Sequence, residues 1–163
     1  MSTNAAATLS TPIGELLLVS DGAALVALRF DDARRGEPTP GGAEDPLIGR
    51  ASGQLREYFA GERSSFDLPL RPAGTPFEQR VWDELRRIPY GETTSYGEIA
   101  ARIGEPAAAR AVGRANGRNP IPVIVPCHRV IGADGSLTGF GGGLACKRAL
   151  LDLERGALSL GVV

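Results

Sequence analysis

Histidine and cysteine are scarce in this chain: His128 is the single imidazole, and Cys127 and Cys146 are the two thiols. Two thiols and one imidazole make a poor zinc set, and the 18 residues between the cysteines are no knuckle spacing. No metal site is therefore expected. Lysine occurs once, as Lys147, against 17 arginines, which read as the mark of a GC-rich genome. No apolar run approaches the roughly 18 residues of a membrane span, so no membrane partner is expected. The opening stretch MSTNAAATLS has neither a basic region nor an apolar core and does not read as a secretory signal. A cytoplasmic location follows as an expectation, and with it reduced thiols.

What is present fits a globular chain. Its 163 residues are enough for one ordinary domain or two small ones, and 42% hydrophobic residues can build a core. The 22 glycines and 12 prolines follow no period, which excludes collagen and points to many turns. The net charge of −1 argues against nonspecific nucleic-acid binding, but the charge is uneven. Residues 101–129 carry Arg102, Arg110, Arg114, Arg118 and Arg129 against Glu105 alone, a local basic patch on a near-neutral protein.

The first third reads as β-rich. Ile13–Ser20 and Ala23–Phe30 are apolar runs split by Asp21-Gly22, a hairpin signal. Asp31–Asp45 reads as an exposed loop, Pro46–Ala60 as a helix, and Ser65–Leu70 as one more strand. The break RPAGT at 71–75 divides the chain into expected domains 1–74 and 75–163.

Thr75-Pro76-Phe77-Glu78 is a capping box with proline at the first helical position, so a helix starts there. Ser95-x-x-Glu98 starts a second, short one through Ile103. Gly104-Glu105-Pro106 turns the chain, and Pro106 launches a third helix closed by Gly117. Two short helices with a tight turn, the second basic, suggest helix-turn-helix geometry. In that second helix Ala111, Gly113 and Ala115 are small, and Arg110 and Arg114 lie four apart on one face. A tightly packed internal helix and a helix pressed into a groove both fit this pattern.

The chemistry concentrates near residue 127. Ile121–Val130, IPVIVPCHRV, is apolar enough for a buried strand, yet Pro126 ends any regular ladder before Cys127. A thiolate needs a base or a positive charge beside it, and His128 is the only imidazole. Adjacent residues on an extended chain point opposite ways, so direct contact is not assured, and a bridging water could carry the proton. In the last helix, Leu144–Arg155, Glu154 falls inside the apolar arc at about 100° per residue. A carboxylate facing a core needs a partner. Lys147, in the same arc, is one choice; a Cys127–His128–Glu154 relay is the other. Cys146 reads as packing only. The Gly139-Phe140-Gly141-Gly142-Gly143 loop lacks a following Lys-Ser/Thr, so it reads as a pocket wall that stacks on a planar ligand rather than a P-loop.

These residues carry a resemblance. RAVGRANGRNPIPVIVPCHRV and TGFGGGLACKRALLDLE closely resemble the O6-alkylguanine-DNA alkyltransferases, and TPFEQRVWDELRRIPYGETTSYGEIA does so more weakly. The likeness covers nearly the whole chain. It implies a mixed α/β (α+β) fold: a ribonuclease H-like, β-rich N-terminal domain, then a helical helix-turn-helix, winged-helix-like C-terminal domain. It also implies DNA repair in a single turnover. O6-alkylguanine, and O4-alkylthymine with it, would be flipped out of duplex DNA and the alkyl group moved irreversibly to Cys127, with no cofactor. The double-stranded DNA would be held through its minor groove by a monomer, with clustering on DNA left open.

By the same resemblance His128 deprotonates Cys127 through a water, Glu154 orients His128, and Asn119 braces the neighbouring turn. Tyr96 helps rotate the nucleotide and donates a proton to the leaving guanine, and Arg110 fills the gap in the base stack. Tyr96, Arg110, Ala111, Gly113, Arg114 and Arg129 are the residues expected against DNA. Val130, Phe140 and Gly141 are expected to line the base pocket. Phe140 stands where some relatives carry tyrosine and Gly141 where some carry serine, which bears on alkyl-size preference. The absence of a cysteine before Cys127 removes the zinc site and the sacrificial-cysteine domain of some relatives, leaving a stand-alone repair form. A non-reacting lesion-binding protein, a helix-turn-helix regulator and a cysteine hydrolase are the competing classes.

Overall fold

The computed structural model describes residues 4–30, 36–137, 139–140 and 142–156. The chain divides into two compact units, the first ending at Ala73 and the second beginning at Gly74.

The first unit is built on three antiparallel strands in sequence order, β1 (Ala5–Thr11), β2 (Gly14–Ser20) and β3 (Leu25–Phe30). The β2–β3 turn closes where Asp21 Oδ1 accepts the amides of Ala23 and Ala24, both at 2.8 Å. β1 is a strand that the sequence reading passed over: Ala5, Ala6 and Ala7 carry no apolar/polar alternation to announce it. The central strand is buried from Leu16 through Ser20. Ala6, Leu17, Val19 and Ala27 form one buried cluster on one face of the sheet. Helix α1 (Pro46–Phe59) packs against β1 and β2 through an apolar stripe that includes Leu47, Ile48, Leu55 and Phe59. Asp45 caps it, accepting from the Leu47 and Ile48 amides, with Pro46 behind. Ser65–Leu70 does not form the expected strand. Only Leu70 bridges to Leu25, because Pro69 has no amide to donate.

The second unit opens with α2 (Pro76–Leu85), whose Thr75/Glu78 capping box is complete. Its Trp82 is buried, with the indole Nε1 donating to the Ala115 carbonyl at 2.8 Å, and its ring fills the space where a Cβ on Gly74 would stand. β4 (Thr94–Ser95) leads directly into α3 (Tyr96–Arg102), and α4 (Ala109–Gly117) follows a turn at Gly104. α4 starts three residues later than Pro106 suggests and includes Gly117. Arg80 of α2 staples that turn, bonding Glu105 at 2.9 Å and the Ile103 carbonyl. α2, α3 and α4 pack mutually, so the helix-turn-helix pair rests on α2. A short parallel pairing joins β4 to β5 (Val130–Ile131), Thr94 opposite Val130 and Ser95 opposite Ile131. Helix α5 (Leu144–Glu154) completes the unit.

Candidate active site

The buried run before Cys127 is not a strand. Pro120, Pro122 and Pro126 each remove an amide, so a ladder cannot form, and the chain coils into turns instead. Val123 takes a left-handed φ of 72°, a conformation a β-branched residue adopts only when its surroundings force it. Asn119 supplies part of that force. Its Nδ2 donates to the Val125 carbonyl at 2.8 Å and its Oδ1 accepts the Ile121 amide at 3.0 Å, clipping both ends of the turn. The Cys127 amide then bonds Val125 O at 2.8 Å, and Cys127–Arg129 form one turn of 3-10 helix.

Cys127 is 5% exposed. Burial pushes its thiol up to about 11, against a hydrogen bond from the Asn119 side chain and the charge of Lys147, which pull it down. The resting residue is therefore a thiol. Asn116, on the packed side of α4, donates to the Cys127 carbonyl at 3.3 Å and so ties that helix to the Cys127 backbone. Asn116 is a residue of the site that the sequence pattern does not single out. Its signal was a carboxamide next to Ala115 and four residues after Val112, both buried.

His128 is wholly buried, and its Nε2 lies 2.6 Å from Glu154 Oε2. Burial of Glu154 opposes its ionisation, but hydrogen bonds and charge from His128 and Arg129 outweigh that and bring its carboxyl to about 2. An ionised carboxylate can only accept, so Nε2 carries the proton and Nδ1 the lone pair. Among the described residues Nδ1 meets no hydrogen-bond partner. Burial holds the imidazole below its ordinary range, outweighing the pull of Glu154 toward the charged form.

Arg129 departs from expectation. It was placed among the DNA contacts, yet it is buried and donates through Nε to Glu154 Oε1 at 2.7 Å and through Nη2 to Oε2 at 3.0 Å. Its Nη1 reaches the Ile88 carbonyl at 2.7 Å, and its guanidinium lies over Tyr90, 5.7 Å from the ring centre. The physical reason is charge: a carboxylate buried this deeply needs a cation, and a guanidinium fits it in two places. Lys147, weighed as the partner of Glu154, donates to the Val130 carbonyl at 2.7 Å. Cys146 is half-buried, and burial raises its thiol.

The remaining positions form two groups. On α4 the side bearing Val112, Ala115 and Asn116 packs inward, while Arg110 and Arg114 stand exposed with no ion-pair partner among the described residues. One face of this helix thus packs as an internal helix does, and the face with the two arginines is open to solvent. Tyr96 opens α3 and is half-buried, with its ring over Gly113, where an added Cβ would sit 3.7 Å from Cδ1. Ala111 and Gly113 are half-buried, Val130 is buried beside the turn, and Phe140 is half-buried with its carbonyl accepting the Gly143 amide at 2.9 Å. Gly141 lies outside the described residues. Hydrogen bonds join Asn119, His128, Glu154 and Arg129 around the Cys127 turn, and β4–β5 pairing brings the start of α3 to the same segment.

Comparison with known proteins agrees along most of the chain. Residues 5–72 match the family model described as the ribonuclease-like domain of 6-O-methylguanine DNA methyltransferase, and residues 76–156 match its DNA binding domain. A methylated-DNA–protein-cysteine methyltransferase of Mycobacterium bovis is 56% identical over 149 residues, covering 91% of this chain and 90% of that one. The constitutive methylated-DNA–protein-cysteine methyltransferase of Bacillus subtilis is 47% identical over 154 residues, covering 91% and 93%. Among solved structures, the Mycobacterium tuberculosis OGT in complex with DNA superimposes with a TM-score of 0.83 at 56% identity, over 92% of both chains. The M. tuberculosis O6-methylguanine methyltransferase gives 0.85 at 52%, over 96% and 95%. With both halves matched in order by the two models, the chain belongs to the 6-O-methylguanine DNA methyltransferase family.

Proposed function

We propose that this protein repairs alkylated DNA by moving the alkyl group from O6 of guanine, and from O4 of thymine, onto Cys127. The observation that carries the reading is the His128–Glu154 bond with Nδ1 left to accept a proton. With Nε2–H pinned on the carboxylate, a water between Sγ and Nδ1 passes the thiol proton to the imidazole. The thiolate attacks the alkyl carbon, the S–C bond forms as the O6–C bond breaks, and the base leaves with the electron pair. Tyr96 supplies a proton to that base, which makes it a better leaving group. A thioether has no route back, so each molecule reacts once.

The exposed arginines of α4 support the DNA-binding half of the reading. The small residues Ala111 and Gly113 let the helix backbone approach a minor groove, Arg114 meets a phosphate, and Arg110 enters the stack in place of the flipped base. Val130 and Phe140 wall the pocket that takes the base. The protein acts as a monomer.

The test is peptide mass spectrometry after mixing the protein with duplex DNA holding one O6-methylguanine. Trypsin separates the thiols, leaving Cys127 in Asn119–Arg129 and Cys146 in Val130–Lys147. One methyl per protein, on the first peptide alone, is the expected result. Bound DNA with no methyl on either peptide would make this a lesion-binding relative, and repeated turnover on esters or amides a hydrolase.

A further inference from the structure

The Arg129–Glu154 pair is also gripped by the turn that follows α2. Oε1 of Glu154 receives Arg129 Nε at 2.7 Å and the Gly91 amide at 3.4 Å. Oε2 receives His128 Nε2 at 2.6 Å and Arg129 Nη2 at 3.0 Å. Arg129 Nη1 goes to the Ile88 carbonyl at 2.7 Å, and its guanidinium lies over the Tyr90 ring, 5.7 Å from the centre. A carbonyl, a ring and an amide from residues 88–91 thus converge on one buried ion pair. Gly91 permits the approach: its φ is 83°, and a Cβ there would stand 3.1 Å from the Glu154 carbonyl oxygen. Of the three contacts, only that of Tyr90 is made by a side chain. Its ring is half-buried, while Arg129 and Glu154 are buried. A guanidinium withdrawn from water is attracted to the negative face of a ring within about 6 Å. An aliphatic chain of equal bulk offers no such attraction.

We propose that Tyr90 is a positioning residue for His128: its ring covers the Arg129–Glu154 pair and keeps the guanidinium on the carboxylate, which in turn keeps the imidazole in its Nε2–H form. The proposal rests on the reading of His128 as the base for Cys127, and it adds the residue that keeps that base neutral. The chain of contacts is short. Tyr90 touches Arg129, Arg129 takes both oxygens of Glu154, and Glu154 takes the His128 proton donor. The charged groups that His128 senses are Glu154 and Lys147 on α5 and Arg129 in its own turn, with Cys127 beside it a neutral thiol at rest. Glu154 draws the imidazole toward its charged form, while burial, Arg129 and Lys147 oppose that. Loss of the ring admits water to the pair and frees the guanidinium to move away. Both changes relax the opposition, so both raise the imidazole. A base that is protonated near neutral pH cannot take a proton from the thiol.

The experiment uses the full-length protein and its single histidine, which gives one imidazole to follow by NMR with 15N-histidine. Tyr90→Leu removes the ring, and Tyr90→Phe keeps it. In Tyr90→Leu the His128 titration should move up by about one pH unit, and the Nε2–H form should lose its dominance. Tyr90→Phe should restore both. A folded Tyr90→Leu with the parental titration and tautomer overturns the proposal, since a ring that only fills space would leave the imidazole unmoved. Should Tyr90→Leu fail to fold, pentafluorophenylalanine at position 90 still decides. It keeps the shape of Phe and reverses the charge on the ring face, so His128 should titrate higher than in Tyr90→Phe. Identical titrations overturn the assignment. These readouts need no DNA. The acid limb of the single-turnover methyl-transfer rate, measured on the same variants, should move with the imidazole. A shifted imidazole with an unshifted limb would support the part of Tyr90 and count against His128 as the base.

Discussion

His128 Nε2 and Glu154 Oε2 are 2.6 Å apart inside the protein, on residues 26 positions apart in sequence. The bond sets the tautomer of the only imidazole in the chain and leaves Nδ1 as its one basic site. Arg129 grips the other side of the same carboxylate, so Glu154 is locked from two directions and the ring cannot rotate freely.

Glu154→Gln should therefore do two things. The single-turnover transfer rate should fall at least about 100-fold, because the imidazole loses both its orientation and its charge support. Stability should fall by about 3 kcal/mol, because Arg129 is left as a buried, uncompensated cation. Rapid-quench kinetics and urea unfolding read the two effects separately. A destabilised variant with parental kinetics would reduce Glu154 to a structural counter-ion.

Acid should weaken the fold in a defined order. His128 and Glu154 both bind their protons less readily in the folded chain than in the unfolded one, Glu154 down to about 2. Their contribution is complete above the ordinary histidine range of about 6.5 and is lost as pH falls. The first loss comes as unfolded His128 takes up a proton, the second below about pH 4.3 as unfolded Glu154 does. Urea midpoints should hold from pH 8 to about pH 7 and decline from there to pH 3. In His128→Asn the decline between about pH 6.5 and 5 should disappear.

Asn119→Ala removes the clip at both ends of the 121–125 turn and the side-chain hydrogen bond that lowers the Cys127 thiol. The cost in stability should be about 2 kcal/mol for two buried backbone partners left unmet. Cys127 should also become less reactive toward iodoacetamide near neutral pH. Loss of stability with an unchanged thiol profile would confine Asn119 to bracing.

Arg110→Ala should slow repair of O6-methylguanine in duplex DNA while leaving reaction with free O6-benzylguanine intact. The free base has no stack to fill, so only the duplex reaction meets the unstacking cost of a few kcal/mol. Equal losses on both substrates would remove Arg110 from the stack.

Much of this was legible in the sequence, for physical reasons that differ from place to place. Thr75/Glu78 and Asp21-Gly22 announce their elements because the signal is local: a side chain meets a backbone amide within three residues. Glu154 stood out as a charge in an apolar arc, which only a partner can explain. The errors came where the partner is distant in sequence. Arg129 looks like one more member of a basic patch until the carboxylate 25 residues later is brought beside it. Lys147 and Glu154 look like a pair along one helix, yet the turn supplies each with a bonding partner of its own. The 121–130 run is as apolar as a strand and as buried as one, but Pro122 and Pro126 within it, with Pro120 just before, decide its backbone. β1 was missed because alanines carry no pattern until β2 lies beside them.

The pairing of β4 with β5 is only two residues long, and it has a mechanical meaning. Thr94 and Ser95 lead straight into α3 and Tyr96, while Val130 and Ile131 lead straight out of the Cys127 turn. Under the proposed function, a load that DNA places on α3 would reach the Cys127 backbone through this pairing. Holding DNA and positioning the sulfur would then share one strut.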